Sequence, residues 1–111
     1  MANGAKLAYV RVSTEEQNEA RQVEALKQYD IDKWFIEKVS GKDMNRPKLR
    51  EMLDYAREGD TIYIHDFSRI SRSVADLMTL TKDLQERGIH LKSNKEGFDT
   101  MTPMGRAMIG F

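Results

Sequence analysis

The chain contains no cysteine, which excludes a disulfide scaffold and a thiolate metal site alike. It has no apolar run of more than a few residues, so no transmembrane helix is predicted. Its first residues, Met1-Ala2-Asn3-Gly4-Ala5-Lys6, lack the apolar stretch of a signal peptide. A cytoplasmic protein with no membrane partner is therefore expected. Net charge is also missing: 18 Lys and Arg balance 18 Asp and Glu. The bulk basicity that announces many nucleic-acid binders is absent, and any phosphate-bearing partner must be met by a local cluster. There are no internal repeats and no low-complexity segments.

What remains is an ordinary globular composition, 40% hydrophobic and 32% charged. The 111 residues suffice for one small domain. A domain of this size buries roughly 60–70% of the surface its unfolded chain exposes, enough for a core without staples.

Strand and helix patterns alternate along the chain. This predicts an α/β fold with a mainly parallel sheet of about four strands flanked by helices. Lys6 to Val12 reads as a buried strand interrupted only by Arg11. Ser13-Thr14-Glu15-Glu16 carries a capping box, and a helix is predicted to about Gln28 with Ala20, Val23 and Leu26 inward. Trp34-Phe35-Ile36 is a short second strand, and residues 39–47 are loop by composition. Pro47 fits the first turn of the next helix, whose stripe is Leu49, Met52, Leu53 and Ala56. Thr61 to Ile64 is a third strand. A second capping box, Ser73 with Asp76, opens a helix to about Arg87 with Val74, Leu77, Leu80 and Leu84 inward. Gly88 caps that helix, and Ile89 to Leu91 is a fourth strand. A last helix is expected from Thr102-Pro103, with Met104, Ala107, Met108 and Phe111 on one face. That stripe stops without a closing signal, which predicts a chain cut from something longer.

Candidate chemistry gathers where strands end, the place where open parallel sheets take their ligands. Arg11 and Ser13, two apart at the end of the first strand, point to one side if the strand continues. Ser13 at a helix start is suited to a phosphate, and it is equally an ordinary helix cap, with Arg11 a surface ion-pair partner. After the third strand come Ser68-Arg69-Ile70-Ser71-Arg72. Arg69 and Arg72 share a face if the turn is helical, and guanidinium forks match phosphate oxygens. Alternatively they are solvated and paired to Asp66 or Asp76. Arg46 lies in the polar loop after Ser40-Gly41-Lys42, which is not a P-loop because the earlier glycine is missing. His65 and His90 have no second ligand at metal spacing and read as structural. No Gly-x-Gly-x-x-Gly follows a strand, so neither a metal nor a dinucleotide cofactor is expected.

Taken together, the segments resemble a known family. Tyr9-Val10-Arg11-Val12-Ser13-Thr14-Glu15-Glu16-Gln17 is similar to the Tyr-x-Arg-Val-Ser-Thr-x-x-Gln signature of the serine recombinases, the resolvase/invertase family. Ser40-Gly41, Arg46-Pro47, Arg69-x-x-Arg72 and Met104-Gly105 follow in that family's order, from Leu7 to Phe111 overall. The resemblance implies a catalytic domain that cleaves and rejoins double-stranded DNA through a 5′-phosphoserine link. Ser13 matches the nucleophile, Arg11, Arg69 and Arg72 the arginines around the scissile phosphate, and Arg46 a further phosphate ligand. Gln17 and Gln22 match supporting polar residues. It also implies a homodimer that becomes a tetramer during strand exchange, no cofactor, and a dimerisation helix and DNA-binding region beyond Phe111. The sequence departs from the pattern at Ser68, where many members carry an Asp that is a candidate proton donor, and at Ser71, often Gly. Asp66, two residues earlier, is the substitute on offer if the strand end turns it inward. Two other classes compete with this reading. One is a non-catalytic α/β interaction module, told apart by covalent capture of DNA; the other is a metal-dependent phosphodiesterase or nuclease, told apart by EDTA.

Overall fold

The computed structural model describes residues 4–12, 19–39, 46–70 and 74–95. Four strands, β1 (Lys6–Val12), β2 (Lys33–Lys38), β3 (Thr61–Ile64) and β4 (His90–Ser93), form one sheet in the order β2-β1-β3-β4. Every pairing is parallel. Parallel neighbours need crossovers, and the helices α1 (Glu19–Leu26), α2 (Pro47–Tyr55) and α3 (Val74–Glu86) supply them. This is the α/β architecture expected from the alternating patterns.

Alternation along β1 divides the core. Leu7 and Tyr9 pack with Met52 and Ala56 of the α2 segment and Leu84 of α3, while Ala8 and Val10 pack with Leu26 and Val23 of α1. The sheet thus has α2 and α3 on one face and α1 on the other. Because β1 sits between β2 and β3, the chain leaves β1 in one direction and returns past it to β3. The C-terminal ends of β1 and β3 therefore flank the reversal of strand order, where such sheets open a crevice.

Most predicted elements are found, with local corrections. β2 extends beyond Ile36, because Arg11 pairs in register with Glu37 and Val12 with Lys38. β4 starts at His90 rather than Ile89 and runs on to Ser93, held by its register with β3. On α1, Ala20 is exposed rather than inward; Gln22 takes the buried position beside Val23 and Leu26. Leu49, Met52, Leu53, Leu77, Leu80 and Leu84 all join the core face as expected. Gly88 ends α3 at φ 76°, and a Cβ there would meet the Glu58 side chain at 2.7 Å. Both predicted capping serines, Ser13 and Ser73, and the helix from Thr102 lie outside the described residues.

Candidate active site

Arg11 stands near the end of β1, on the α2/α3 face, and is 1% exposed. A surface ion-pair role is thereby overturned: burial at that level requires that its donors be satisfied inside the protein. Its Nε donates to the carbonyl of Arg69 at 3.1 Å and its Nη1 to that of Val39 at 3.3 Å. Arg69 answers, its Nη1 donating to the Arg11 carbonyl at 3.3 Å. Gln22, fully buried on α1, donates from Nε2 to the same Arg11 carbonyl at 3.1 Å.

The turn that presents Arg69 follows β3 directly. Phe67–Arg69 forms one turn of 3₁₀ helix, closed by Arg69 N–H to the Asp66 carbonyl and Ile70 N–H to the Phe67 carbonyl. Phe67 and Ile70 bury their side chains in the α2/α3 core and so fix the turn on the sheet. Asp66 is turned inward and buried, with a carboxylate oxygen 3.7 Å from Nε of Arg69. Ser68 lies in the middle of this turn.

Arg46 immediately precedes α2 and reaches the same place from the other side. Its Nη1 donates to the carbonyls of Arg69, at 3.2 Å, and Ile70. Three guanidinium groups from three segments thus converge on the backbone between Arg69 and Ile70 and the end of β1. Backbone carbonyls orient a guanidinium without cancelling its charge, so three arginines against the one nearby Asp66 carboxylate leave positive potential at the C-terminal edge of the sheet. That edge suits an anion whose charge grows during reaction.

The structure brings Arg11, Arg46, Arg69 and Asp66 together, with Gln22 against the Arg11 carbonyl. Ser13, Gln17 and Arg72 lie outside the described residues. Among the described residues, no group of three His, Asp or Glu side chains is placed to hold a metal ion. The same residues contain no helix long and apolar enough to cross a membrane.

Two residues of this region escape sequence reasoning. Tyr9 on β1 is fully buried and donates its hydroxyl to Glu37 Oε2 at 2.6 Å. Burial above all, and then the bond to Glu37, hold the Tyr9 phenol protonated well above its ordinary range. Tyr9 is consequently a hydrogen-bond donor at neutral pH and not a phenolate nucleophile. The available signal was Glu37 itself, an acidic residue two positions beyond Phe35 and therefore on the same core-facing side of β2.

An open parallel α/β domain with arginines gathered at its switch point has the charge and the crevice that an anionic ligand requires. The comparisons make the assignment specific. Residues 6–111 match the family model of the resolvase N-terminal domain, and the chain belongs to that family. It is similar to the transposon Tn917 resolvase of Enterococcus faecalis, 45% identical over 98 residues that cover 88% of this chain and 53% of that protein. It is similar also to the DNA-invertase hin of Salmonella typhimurium, 41% identical over 92% of this chain and 54% of that one. The chain thus spans about half the length of these relatives. Among solved structures, the N-terminal catalytic domain of TP901-1 integrase superposes with a TM-score of 0.78 at 27% identity, covering 95% of this chain and 88% of that domain.

Proposed function

We propose that this chain is the catalytic domain of a site-specific serine recombinase that cuts and reseals double-stranded DNA in the cytoplasm. The observation that carries the reading is the convergence of Arg11, Arg46 and Arg69 at the end of β1, the strand that Ser13 follows in sequence. Membership of the resolvase family supports it, as do relatives described as resolvases and DNA-invertases.

In the proposed step, Ser13 Oγ loses its proton and bonds to the scissile phosphorus as the P–O3′ bond breaks. The leaving 3′ oxygen takes up a proton. The product is a 5′-phosphoserine link and a free 3′-hydroxyl, and reversal with a new partner strand reseals the DNA. Because one phosphoester replaces another, the bond energy is retained and no nucleotide cofactor is required. Arg11, Arg69 and Arg72 stabilise charge that builds on the phosphoryl oxygens, the work that metal ions do in many nucleases. Arg46 holds the phosphate, while Gln17 and Gln22 support the site. Gln22 does so through the Arg11 carbonyl. With Ser68 where a family Asp is common, Asp66 is the candidate proton donor. Cutting two strands of each duplex calls for paired subunits, a homodimer that assembles into a tetramer for exchange.

The test is covalent capture. The complete gene product, incubated with a plasmid carrying the DNA that borders its own reading frame, is expected to give a denaturation-resistant adduct at a 5′ end. The 3′ ends should be free and extendable by a polymerase. Binding without an adduct would favour the non-catalytic module instead.

A further inference from the structure

Helix α2 begins without a cap of its own. Arg46 at the N-cap makes no side-chain cap bond, and Pro47 in the first turn has no N–H to offer. The missing acceptor comes from another element: Glu37 Oε1, on β2, accepts the Lys48 backbone N–H at 2.9 Å. Its second oxygen, Oε2, accepts the Tyr9 hydroxyl at 2.6 Å. A carboxylate 4% exposed is thereby satisfied on both oxygens and sits at the positive end of a helix dipole.

Glu37 stands opposite Arg11 in the β1–β2 register, and through the first turn of α2 it also bears on Arg46. Lys48 is two residues after Arg46, whose guanidinium must reach the Arg69 and Ile70 carbonyls. The body of α2 is secured by Met52, buried in the core. Its first turn has Pro47, no local cap, and the Glu37 bond. We propose that Glu37, steadied by Tyr9, is the positioning residue that sets Arg46 in the active site by anchoring the first turn of α2. The role rests on the recombinase reading above, in which Arg46 holds the scissile phosphate. Tyr9 suits its part because burial and the Glu37 bond keep its hydroxyl protonated, so the donor persists at any pH the protein meets.

The experiment compares Glu37→Ala, Glu37→Gln, Arg46→Ala and the Glu37→Ala/Arg46→Ala pair in the complete gene product, by rate of covalent adduct formation. Misplacing Arg46 by a fraction of an ångström should slow the Glu37→Ala variant by about 10- to 100-fold. The same change should do almost nothing in the Arg46→Ala background, because the two residues act as one unit. Glu37→Gln keeps an oxygen for the Lys48 N–H and should restore most of the rate. Equal losses in both backgrounds, or a glutamine as poor as alanine, would overturn the proposal. A second measurement needs no DNA: the ¹⁵N guanidinium resonance of Arg46 should be sharp in the parent protein and exchange-broadened in Glu37→Ala. An unchanged Arg46 signal would also overturn it. If Glu37→Ala does not fold, Tyr9→Phe removes the other anchor and takes its place in both measurements. Should the unmodified gene product form no adduct at all, the recombinase reading fails, and the resonance measurement still decides whether Glu37 anchors Arg46.

Discussion

Arg11 and Arg69 hold each other by the backbone: Arg11 Nε donates to the Arg69 carbonyl at 3.1 Å, and Arg69 Nη1 donates to the Arg11 carbonyl at 3.3 Å. The two residues are 58 positions apart, so this reciprocal pair fastens the end of β1 to the turn after β3. Each side chain donates to a backbone carbonyl of the other residue, and Asp66 adds a carboxylate oxygen 3.7 Å from Nε of Arg69. The arrangement joins structural and chemical roles in the same residues, and the first prediction tests the structural half.

Arg11→Ala should destabilise the protein. The Arg69 carbonyl keeps Arg46 as a donor, whereas the Val39 carbonyl loses its bond from Arg11. That half-buried acceptor, together with the void left by a buried arginine side chain, makes the expected cost about 1–3 kcal/mol. Urea denaturation of the complete gene product should show a drop of that size. A change within about 0.5 kcal/mol, the usual effect at an exposed position, would contradict the buried role.

Arg69→Lys and Arg72→Lys keep the charge but remove the planar fork. A point charge still attracts a phosphate, whereas bidentate alignment in the transition state is lost. DNA binding should therefore fall little and cleavage much more. Parallel losses in a gel-shift and a cleavage assay would mean that these arginines only hold DNA.

Asp66 and Ser68 divide one question between them. If Asp66 protonates the leaving oxygen, Asp66→Asn should lower cleavage by about 100-fold or more, the usual worth of a positioned acid. Ser68→Asp should be tolerated, and should recover part of the loss when added to Asp66→Asn. Single-turnover cleavage rates decide it. Loss of activity in Ser68→Asp alone would show a site rebuilt around Asp66, with no room for the family's arrangement.

Charge stabilisation by guanidinium groups predicts that EDTA leaves adduct formation unchanged. A metal-dependent phosphodiesterase loses its nucleophile or its Lewis acid when the ion is withdrawn. Cleavage abolished by EDTA and restored by Mg²⁺ would return that class to consideration.

Much of the scaffold was readable because it follows local periodicity. Lys6–Val12 is the strand expected from its apolar run, and the stripe Leu49, Met52, Leu53, Ala56 marks the core face of α2 and its end. Periodicity counts only apolar residues, however. It placed Ala20 inward on α1, where Gln22 in fact takes the buried position by donating to the Arg11 carbonyl. It ends β2 at Ile36 and so misses Glu37, a buried carboxylate whose partners, Tyr9 and the Lys48 N–H, lie 28 and 11 positions away. The cluster was legible in its residue types but not in its geometry. Arg11 reads as a surface charge until the partners that satisfy it, at Val39 and Arg69, are brought beside it by the parallel crossovers.

The identity of the attached residue tests the central claim most directly. Complete gene product trapped on its DNA, digested with protease and nuclease and analysed by mass spectrometry, should yield one peptide carrying a nucleotide 5′-phosphate on Ser13. The Ser13→Ala variant should bind the same DNA and give no adduct, with a stability loss of about 0.5–2 kcal/mol if the serine also caps a helix. A nucleotide on any other residue, or an adduct that persists in Ser13→Ala, would contradict the account.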